Sequence, residues 1–375
     1  MIPFNKPALW GNEVGYIVDA VKRGHISGDG GYTKRVHSFL EEALGVPRVL
    51  LTTSCTHALE MSALLLEIGP GDEVIVPSFT FVSTVNAFVL RGATPVFVDI
   101  RPDTLNMDER QLAGKMTART KAIVPVHYAG VGCEMDVIMR LAEERGVAVV
   151  EDNAHGLFGR YRGRALGTFG QLATQSFHET KNFSCGEGGA LLVNDAHFIA
   201  RAEILREKGT NRSAFFRGQI DKYTWVDLGS SFLPSDLLSA VLLAQLEAKD
   251  RVQASRQHCW DHYAKGLREW AASGDVRLPF VPAHCEHPAH MFYLVIKTLE
   301  QRHALIAHLK ARGIVSVFHY LPLHCSPMGM RHGGRRGDCP VTEDISDRLL
   351  RLPLFGQMTD EDLDAVVKAV CEFEL

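Results

Sequence analysis

One lysine in this sequence stands in an unusual setting. Lys181 lies in a short turn that follows the apolar run Ala173–Phe177 and precedes the glycine-rich stretch Gly186–Gly189. Earlier in the chain, a second apolar run ends in the carboxylate of Asp152. Partial burial lowers the pKa of an amine and frees its lone pair to form an imine with an aldehyde. A carboxylate nearby can keep a pyridine nitrogen protonated, so the pair predicts chemistry on pyridoxal phosphate.

Other positions carry groups that suit parts of such a cofactor. The turn Thr52–His57 stands between a predicted strand and a predicted helix, where unpaired amides and the helix dipole favour a phosphate. Ser176 could bind the same phosphate, His155 could hydrogen-bond the phenolic oxygen of the ring, and Phe81 could stack on its face. Simpler alternatives stay open for each position: a helix cap, a core aromatic, an acid capping the next helix, or a solvated lysine. Their order along the chain is what favours a cofactor site.

The elements that would position these residues alternate between strand and helix. Seven apolar runs lie between residues 46 and 195, with helical patterns between them. The predicted strands are Val49–Thr53, Glu73–Pro77, Thr94–Ile100, Lys121–His127, Val147–Asp152, Ala173–Phe177 and Ala190–Asn194. Nearly continuous apolar strands that alternate with helices predict an α/β fold, with a mostly parallel seven-stranded sheet covered on both faces. Ligands of such sheets bind beyond the carboxyl ends of the strands.

A smaller C-terminal α/β unit is expected after this sheet. A long helical pattern from about Leu237 to Leu267 would bridge to it. Its predicted strands are Met291–Ile296 and Val315–His319, and its predicted helices are Arg302–Arg312 and Asp360–Glu374. We therefore predict a large domain over residues 13–245 and a small domain over residues 246–375, the latter together with residues 1–12.

The composition excludes several classes of protein. The 375 residues are 46% hydrophobic and carry a formal net charge of −4, which gives no electrostatic case for nucleic acid or a membrane surface as partner. None of the eight cysteines forms a CxxC pair, so no metal site is predicted. Scattered thiols and an N-terminus without a signal-peptide pattern lead us to expect a cytoplasmic protein.

Taken together, the motifs resemble the DegT/DnrJ/StrS-type sugar aminotransferases, which are fold-type I pyridoxal-phosphate enzymes that aminate keto sugars carried on nucleotides. The resemblance rests on Ile2–Phe4, Gly28–Gly31, Pro77–Phe81, Val149–Asp152, Ser176–Asn182 and Phe318–His324. Three more segments are similar to the branch that aminates dTDP-linked 4-keto-6-deoxyhexoses: Gly209–Ser213, Phe216–Gln219 and Asp221–Trp225.

The resemblance implies a role for individual residues at the cofactor. Lys181 would form the imine, Asp152 would bind the pyridinium nitrogen, and Phe81 would stack on the ring. His155 would bind the phenolic oxygen where many relatives have glutamine. The implied phosphate ligands are Ser176, Thr56, the backbone around Cys55, and Ser231, which replaces an asparagine that relatives usually supply from a neighbouring subunit.

The resemblance also implies substrates and assembly. The substrates would be L-glutamate and a nucleotide sugar, and the protein would form a homodimer or a higher homo-oligomer. The implied substrate-binding residues are Lys208, Arg212, Arg217, Lys222, His319 and Tyr320.

The implied reaction moves an amino group from L-glutamate to C4 of a dTDP-4-keto-6-deoxyhexose. The products would be dTDP-4-amino-4,6-dideoxygalactose and 2-oxoglutarate, and the pathway would serve lipopolysaccharide or enterobacterial common antigen. Two alternatives remain: amination at C3 or of another nucleotide-linked keto sugar, and a non-catalytic protein that kept the fold. The second alternative predicts loss of the imine lysine, and Lys181 is present.

Overall fold

The computed structural model of the protein describes residues 1–374 and contains, within them, thirteen β-strands and fifteen α-helices. The strands are β1 (Arg48–Thr52), β2 (Glu73–Pro77), β3 (Thr94–Val98), β4 (Thr120–Ile123), β5 (Ala148–Asp152), β6 (Arg160–Tyr161), β7 (Arg164–Ala165), β8 (Leu172–Ser176), β9 (Gly189–Val193), β10 (Cys285–Glu286), β11 (Phe292–Val295), β12 (Val317–Phe318) and β13 (Leu349–Leu352).

The helices are α1 (Glu13–Lys22), α2 (Gly31–Leu44), α3 (Cys55–Leu65), α4 (Val82–Val89), α5 (Leu112–Lys115), α6 (Met135–Arg145), α7 (Ile199–Arg206), α8 (Arg212–Phe216), α9 (Asp236–Glu247), α10 (Lys249–Gly266), α11 (Arg268–Ser273), α12 (Leu299–Ala311), α13 (Pro327–Arg331), α14 (Pro340–Arg348) and α15 (Asp360–Cys371). Among these helices, none combines the length and the apolar character needed to cross a lipid bilayer.

The large sheet has the strand order β1-β9-β8-β5-β4-β2-β3. Only β9 runs against the others, pairing antiparallel with both β1 and β8, while the remaining pairs are parallel. The seven predicted strands are confirmed to within a few residues, and so is the mostly parallel α/β fold. The carboxyl ends of β1, β2, β5 and β8 consequently meet at one edge, where the amino end of β9 also lies.

Both faces of this sheet are covered, and β1 shows how. Leu50 packs into a core with residues of α3, α4 and α7, whereas Val49 and Leu51 pack into a second core with residues of α2 and α9. Successive side chains of a strand point to opposite faces, so a strand buried on both sides must be apolar throughout. This explains the continuous apolar runs of the sequence.

The C-terminal part has its own antiparallel sheet, in the order β11-β13-β12, and its own core formed with α10, α12 and α15. Ile2 forms a parallel bridge with Ile314, which places the start of the chain beside this part. The single long helix expected after residue 237 is instead two helices, since α9 ends at Glu247 and α10 begins at Lys249. The sequence analysis missed α14 and β13, which follow each other without a turn signal between them.

Glu151 joins the large sheet to the segment that follows β7. Its buried carboxylate accepts hydrogen bonds from three backbone amides and faces His127 Nε2 at 2.9 Å. The amide donors, at 2.6–2.8 Å, are Gly167, Phe169 and Gly170. The backbone amide of Cys133 donates to Nδ1 of His127, so the proton of His127 lies on Nε2 and is donated to Glu151. A buried carboxylate with several donors is stabilised by them and leaves costly unpaired groups when it is altered.

We expect Glu151→Gln to destabilise the fold. The amide group of glutamine places an N–H donor against backbone donors, at a cost of roughly 2 kcal/mol in the free energy of unfolding. The apparent Tm, followed by circular dichroism, should fall by several degrees. Glu144→Gln is the control, because Glu144 is an exposed acid in an i,i+4 pair with Arg140 and should leave the Tm nearly unchanged. Equal Tm values for the two variants would contradict the role given to Glu151.

Candidate active site

Side chains from the large sheet and from the C-terminal sheet line a cavity of about 700 Å³ at the carboxyl edge of the large sheet. It contains nine of the site residues named from the sequence. They are Cys55, Thr56, Phe81, Asp152, His155, Ser176, Lys181, His319 and Tyr320. Parallel strands whose ends meet at one edge therefore bring together residues that lie far apart in sequence.

Lys181 sits in a turn held by backbone hydrogen bonds. Its amide donates to the carbonyl of His178 at 2.9 Å, and the amide of Glu179 donates to the carbonyl of Gly186 at 2.9 Å. Removal from water lowers the pKa of Lys181 to about 8. The charge of Arg351 acts in the same direction, while Cys55 and Asp152 oppose the shift. At pH 7 roughly a tenth of Lys181 is therefore an uncharged, nucleophilic amine, far more than for a lysine with the ordinary pKa.

Asp152 is held in a fixed orientation beside this lysine. Thr84 Oγ1 donates to one carboxylate oxygen at 2.7 Å, and the amide of Ala154 donates to the other at 3.1 Å. Thr80 Oγ1 lies 2.9 Å from Thr84 Oγ1 and supports it from behind. The sequence analysis did not find Thr84, because one threonine in a helix carries no signal of its own. The carboxylate faces the cavity and can accept a proton donor from a bound ring.

The turn between β1 and α3 has the features of an anion site. Ser54 caps α3 by accepting from the amide of His57 at 3.1 Å, and the first amides of the helix have no partner within it. Thr56 Oγ1 donates to Ser83 Oγ at 2.8 Å, which adds a second hydroxyl. Burial raises the pKa of the Cys55 thiol, so this side chain stays neutral.

Gly189 permits β9 to pass close to this turn. A Cβ at position 189 would collide with the backbone of Ser54 and Cys55. A glycine at the start of β9 thus lets the turn approach Ser176, which pairs with Gly189 across the β8–β9 ladder. The sequence analysis treated this glycine only as part of a glycine-rich run, and the close approach gives its physical reason.

His155 lies against a second histidine that was not found from the sequence. Its ring stacks on that of His290 with centroids 4.4 Å apart and an interplanar angle of 19°. His290 Nδ1 is 2.9 Å from Asn182 Oδ1, and Asn182 Nδ2 donates to the carbonyl of Pro288 at 2.7 Å. Burial lowers the pKa of both His155 and His290, with the positive charge of Lys181 acting in the same sense, so both rings are neutral at pH 7.

Aromatic rings also line the cavity or pack against the residues that do. His319 Nδ1 lies 3.0 Å from the hydroxyl of Tyr128, and burial lowers the pKa of His319. The ring of Phe81 is 6.3 Å from that of Tyr320 and is 56% exposed. This exposure argues against the alternative that Phe81 is a buried core residue. It also leaves a face of the ring free to stack on a flat ligand.

The remaining predicted residues lie outside this cavity. Four of them contact residues of α7 or of the stretch that follows it, and Lys222 is exposed. Lys208 pairs with Glu207 at 2.8 Å, Arg212 lies 3.6 Å from Glu207, and Arg217 pairs with Glu203 at 2.8 Å. Ser231 forms a bridge with Glu207. Their roles at a substrate or at a neighbouring subunit stay predictions.

The cavity fits the cofactor expected from the sequence. It is lined by helix amides and hydroxyls suited to a phosphate, and also by a carboxylate, an uncharged histidine and an exposed aromatic ring. Lys181, the amine with the lowered pKa, lines the same cavity. Arg351 also lines the cavity, and no sequence motif pointed to it.

Comparisons with known proteins agree with this geometry over the whole chain. The aminotransferase TlmJ from Streptoalloteichus hindustanus is 32% identical, with a TM-score of 0.89 over 99% of this chain and 98% of that one. The proposed sugar aminotransferase Spr1654 from Streptococcus pneumoniae, in its PMP form, is 28% identical, with a TM-score of 0.92 over 99% and 98%. The spore coat polysaccharide biosynthesis protein SpsC of Bacillus subtilis is 32% identical over 98% of this chain and 96% of its own.

The model of one protein family matches residues 9–371, which is nearly the whole sequence. The family expected from the motifs is thereby confirmed, and with it the expectation of an enzyme. The chain belongs to the DegT/DnrJ/EryC1/StrS aminotransferase family.

Proposed function

We propose that this enzyme transfers an amino group from L-glutamate to C4 of a dTDP-4-keto-6-deoxyhexose, giving dTDP-4-amino-4,6-dideoxygalactose and 2-oxoglutarate. Its cofactor is pyridoxal phosphate, as in the PLP and PMP forms of Spr1654. The observation that carries the proposal is the placement of Lys181 and Asp152 in one cavity with the anion-binding turn before α3. When bound, the cofactor supplies an aldehyde for the amine and a protonated ring that takes up electrons.

The residues of the cavity divide the work of this reaction. Lys181 would bond the cofactor, and its amine, when free, could take up the proton of the donor Cα and later release it. Asp152, fixed by Thr84, would keep a proton on the ring nitrogen. Phe81 would cover the ring, His155 would donate to the phenolic oxygen, and Ser176, Thr56 and the amide of Cys55 would hold the phosphate.

A keto sugar as the acceptor is supported by the relatives, whose names refer to sugar transamination and to polysaccharide biosynthesis. The preference for C4 and for dTDP rests on the motifs between Gly209 and Trp225. The product would enter a bacterial surface polysaccharide, and the cytoplasm remains the predicted location.

A homodimer is part of the same proposal. The stretch after α7 exposes large apolar side chains, among them Phe216 and Trp225, which is 75% exposed. Exposed apolar groups that lie close in sequence often mark an interface. A dimer formed there would cover them and would let Lys208, Arg212, Arg217, Lys222 and Ser231 serve the cavity of the partner subunit.

The pKa of Lys181 sets the pH dependence of cofactor uptake by the apoprotein. Only the unprotonated amine attacks the aldehyde, so the rate should rise about tenfold per pH unit below pH 8 and level off above it. The rise of visible absorbance after mixing with pyridoxal phosphate measures this rate. Borohydride reduction and peptide mass spectrometry then locate the bond.

Lys181→Ala should give no covalent adduct at any pH, whereas Lys265→Ala, which changes an exposed lysine of α10, should behave like the unaltered protein. A reduced adduct on a different lysine would remove Lys181 from its proposed role.

Asp152→Asn should leave the fold intact, since asparagine can still accept from the amide of Ala154 and the hydroxyl of Thr84 can turn to accept. The neutral amide cannot keep the ring nitrogen protonated, so kcat should fall by several orders of magnitude, on the order of 4–7 kcal/mol in activation free energy. Single-turnover kinetics with glutamate measures the effect.

The matched control is Asp275→Asn, at an exposed turn position with φ of 55° that asparagine adopts readily. It should retain full activity. A fall in kcat of less than tenfold in Asp152→Asn would contradict the role of Asp152 at the ring nitrogen.

Substrate specificity is tested with purified holoenzyme, L-glutamate and separate 3-keto and 4-keto dTDP-6-deoxyhexoses. We expect amination of the 4-keto sugar, with one 2-oxoglutarate formed per amino sugar, followed by NMR of the product. Amination of the 3-keto compound alone would establish the C3 alternative. A protein that is bleached by glutamate but aminates neither sugar would direct the search to another acceptor.

A further inference from the structure

Arg351 is a cation in the cavity without an acidic partner. On β13, Leu350 and Leu352 point into the C-terminal core, so Arg351 between them points to the opposite face, where it lines the cavity. It makes no ion pair with any residue from 1 to 374, and its buried Nε has no hydrogen-bond acceptor. Its guanidinium lies over the ring of Phe4, 4.7 Å from the centroid.

An enclosed guanidinium with unused donors is costly in the absence of a ligand. Burial lowers the pKa of Arg351, yet arginine remains protonated in proteins. The ionisable groups that interact with it most strongly are the phenols of Tyr128 and Tyr320, and burial raises the pKa of both, so they stay neutral. The cavity thus keeps a permanent positive charge whose hydrogen-bond donors are available to an anion.

We propose that Arg351 binds the α-carboxylate of the amino donor, an inference that rests on the proposed transaminase function. This carboxylate is attached to the carbon that carries the reacting nitrogen, so it must lie close to Lys181. Arg351 lines the same cavity as Lys181, His155 and His319, and its positive charge acts to lower the pKa of all three.

The diphosphate of a nucleotide sugar is a less suitable ligand for this arginine. The sugar ring separates the diphosphate from C4, so a diphosphate lies farther from Lys181 and nearer the mouth. A carboxylate also matches the planar fork of a guanidinium with two parallel hydrogen bonds.

The experiment compares two amines that differ in the group concerned. L-glutamate carries the α-carboxylate, whereas 4-aminobutyrate keeps the amine and the distal carboxylate but lacks it. Change in the visible absorbance of holoenzyme with each amine gives its Kd and single-turnover rate. In Arg351→Met the affinity for glutamate should fall ~100-fold, as for loss of a paired charge, while that for 4-aminobutyrate stays the same.

A second ligand separates binding from turnover. 2-Methylglutamate has the α-carboxylate but no α-proton, so it can bind but is not turned over. In Arg351→Met its Kd should rise by the same factor as the Kd of glutamate. Arg351→Lys should recover part of the affinity for both ligands. Arg277→Met is the control, because Arg277 pairs through its backbone with Val295 of the same sheet but lies outside the cavity.

Cofactor content and Tm identify a variant that has failed to fold, and Arg351→Gln then replaces the methionine variant because it keeps hydrogen-bond donors without the charge. Equal losses of affinity for glutamate and 4-aminobutyrate, or unchanged affinity for glutamate, would overturn the proposal. A variant that is defective only in amination of the keto sugar would also overturn it and would assign Arg351 to the diphosphate. Unaltered enzyme that does not respond to glutamate would instead refute the donor named in the proposed function.

Discussion

The pleat at the end of β5 separates two neighbouring carboxylates, and much of the site depends on this separation. Glu151 points into the protein and fixes the segment around Gly167–Gly170 through backbone amides. Asp152 points into the cavity and is held by Thr84 and by the amide of Ala154. Two adjacent acids would repel each other in one pocket, but on opposite faces each has its own donors. The structural acid stiffens the strand that positions the functional one.

The charges within the cavity are unevenly balanced before any ligand binds. Lys181 and Arg351 are the cations and Asp152 is the enclosed anion, while Glu187 lies at the exposed rim. Burial lowers the pKa of His155, His290 and His319, so these three rings add no charge at pH 7. A cavity with this excess of positive charge suits anionic ligands. A phosphate cofactor, a dicarboxylate donor and a nucleotide diphosphate are all anionic.

The sequence predicted the sheet and the residues that follow its strands better than it predicted the cavity residues that the C-terminal part contributes. Lys181, Asp152 and the turn before α3 stand directly after apolar runs, so strand periodicity and the edge rule for parallel sheets were sufficient to bring them together. His290 and Arg351 come from the C-terminal part, and their positions depend on how β11 and β13 pack against the large sheet. Periodicity does not encode such packing. Thr84 escaped notice for a similar reason, since only its contact with Asp152 distinguishes it.

The histidine at position 155 replaces the glutamine that is implied by the family resemblance, and its surroundings explain why the exchange is compatible with the same role. A glutamine amide donates a hydrogen bond without carrying charge. A histidine can do the same only while it is neutral, and burial together with the charges of Lys181 and Arg351 lowers the pKa of His155. Stacking on His290, which Asn182 fixes in turn, holds the ring in one plane. A histidine at this position therefore needs contacts with residues far away in sequence that a glutamine would not need. This requirement explains why His290 stacks on the ring of His155.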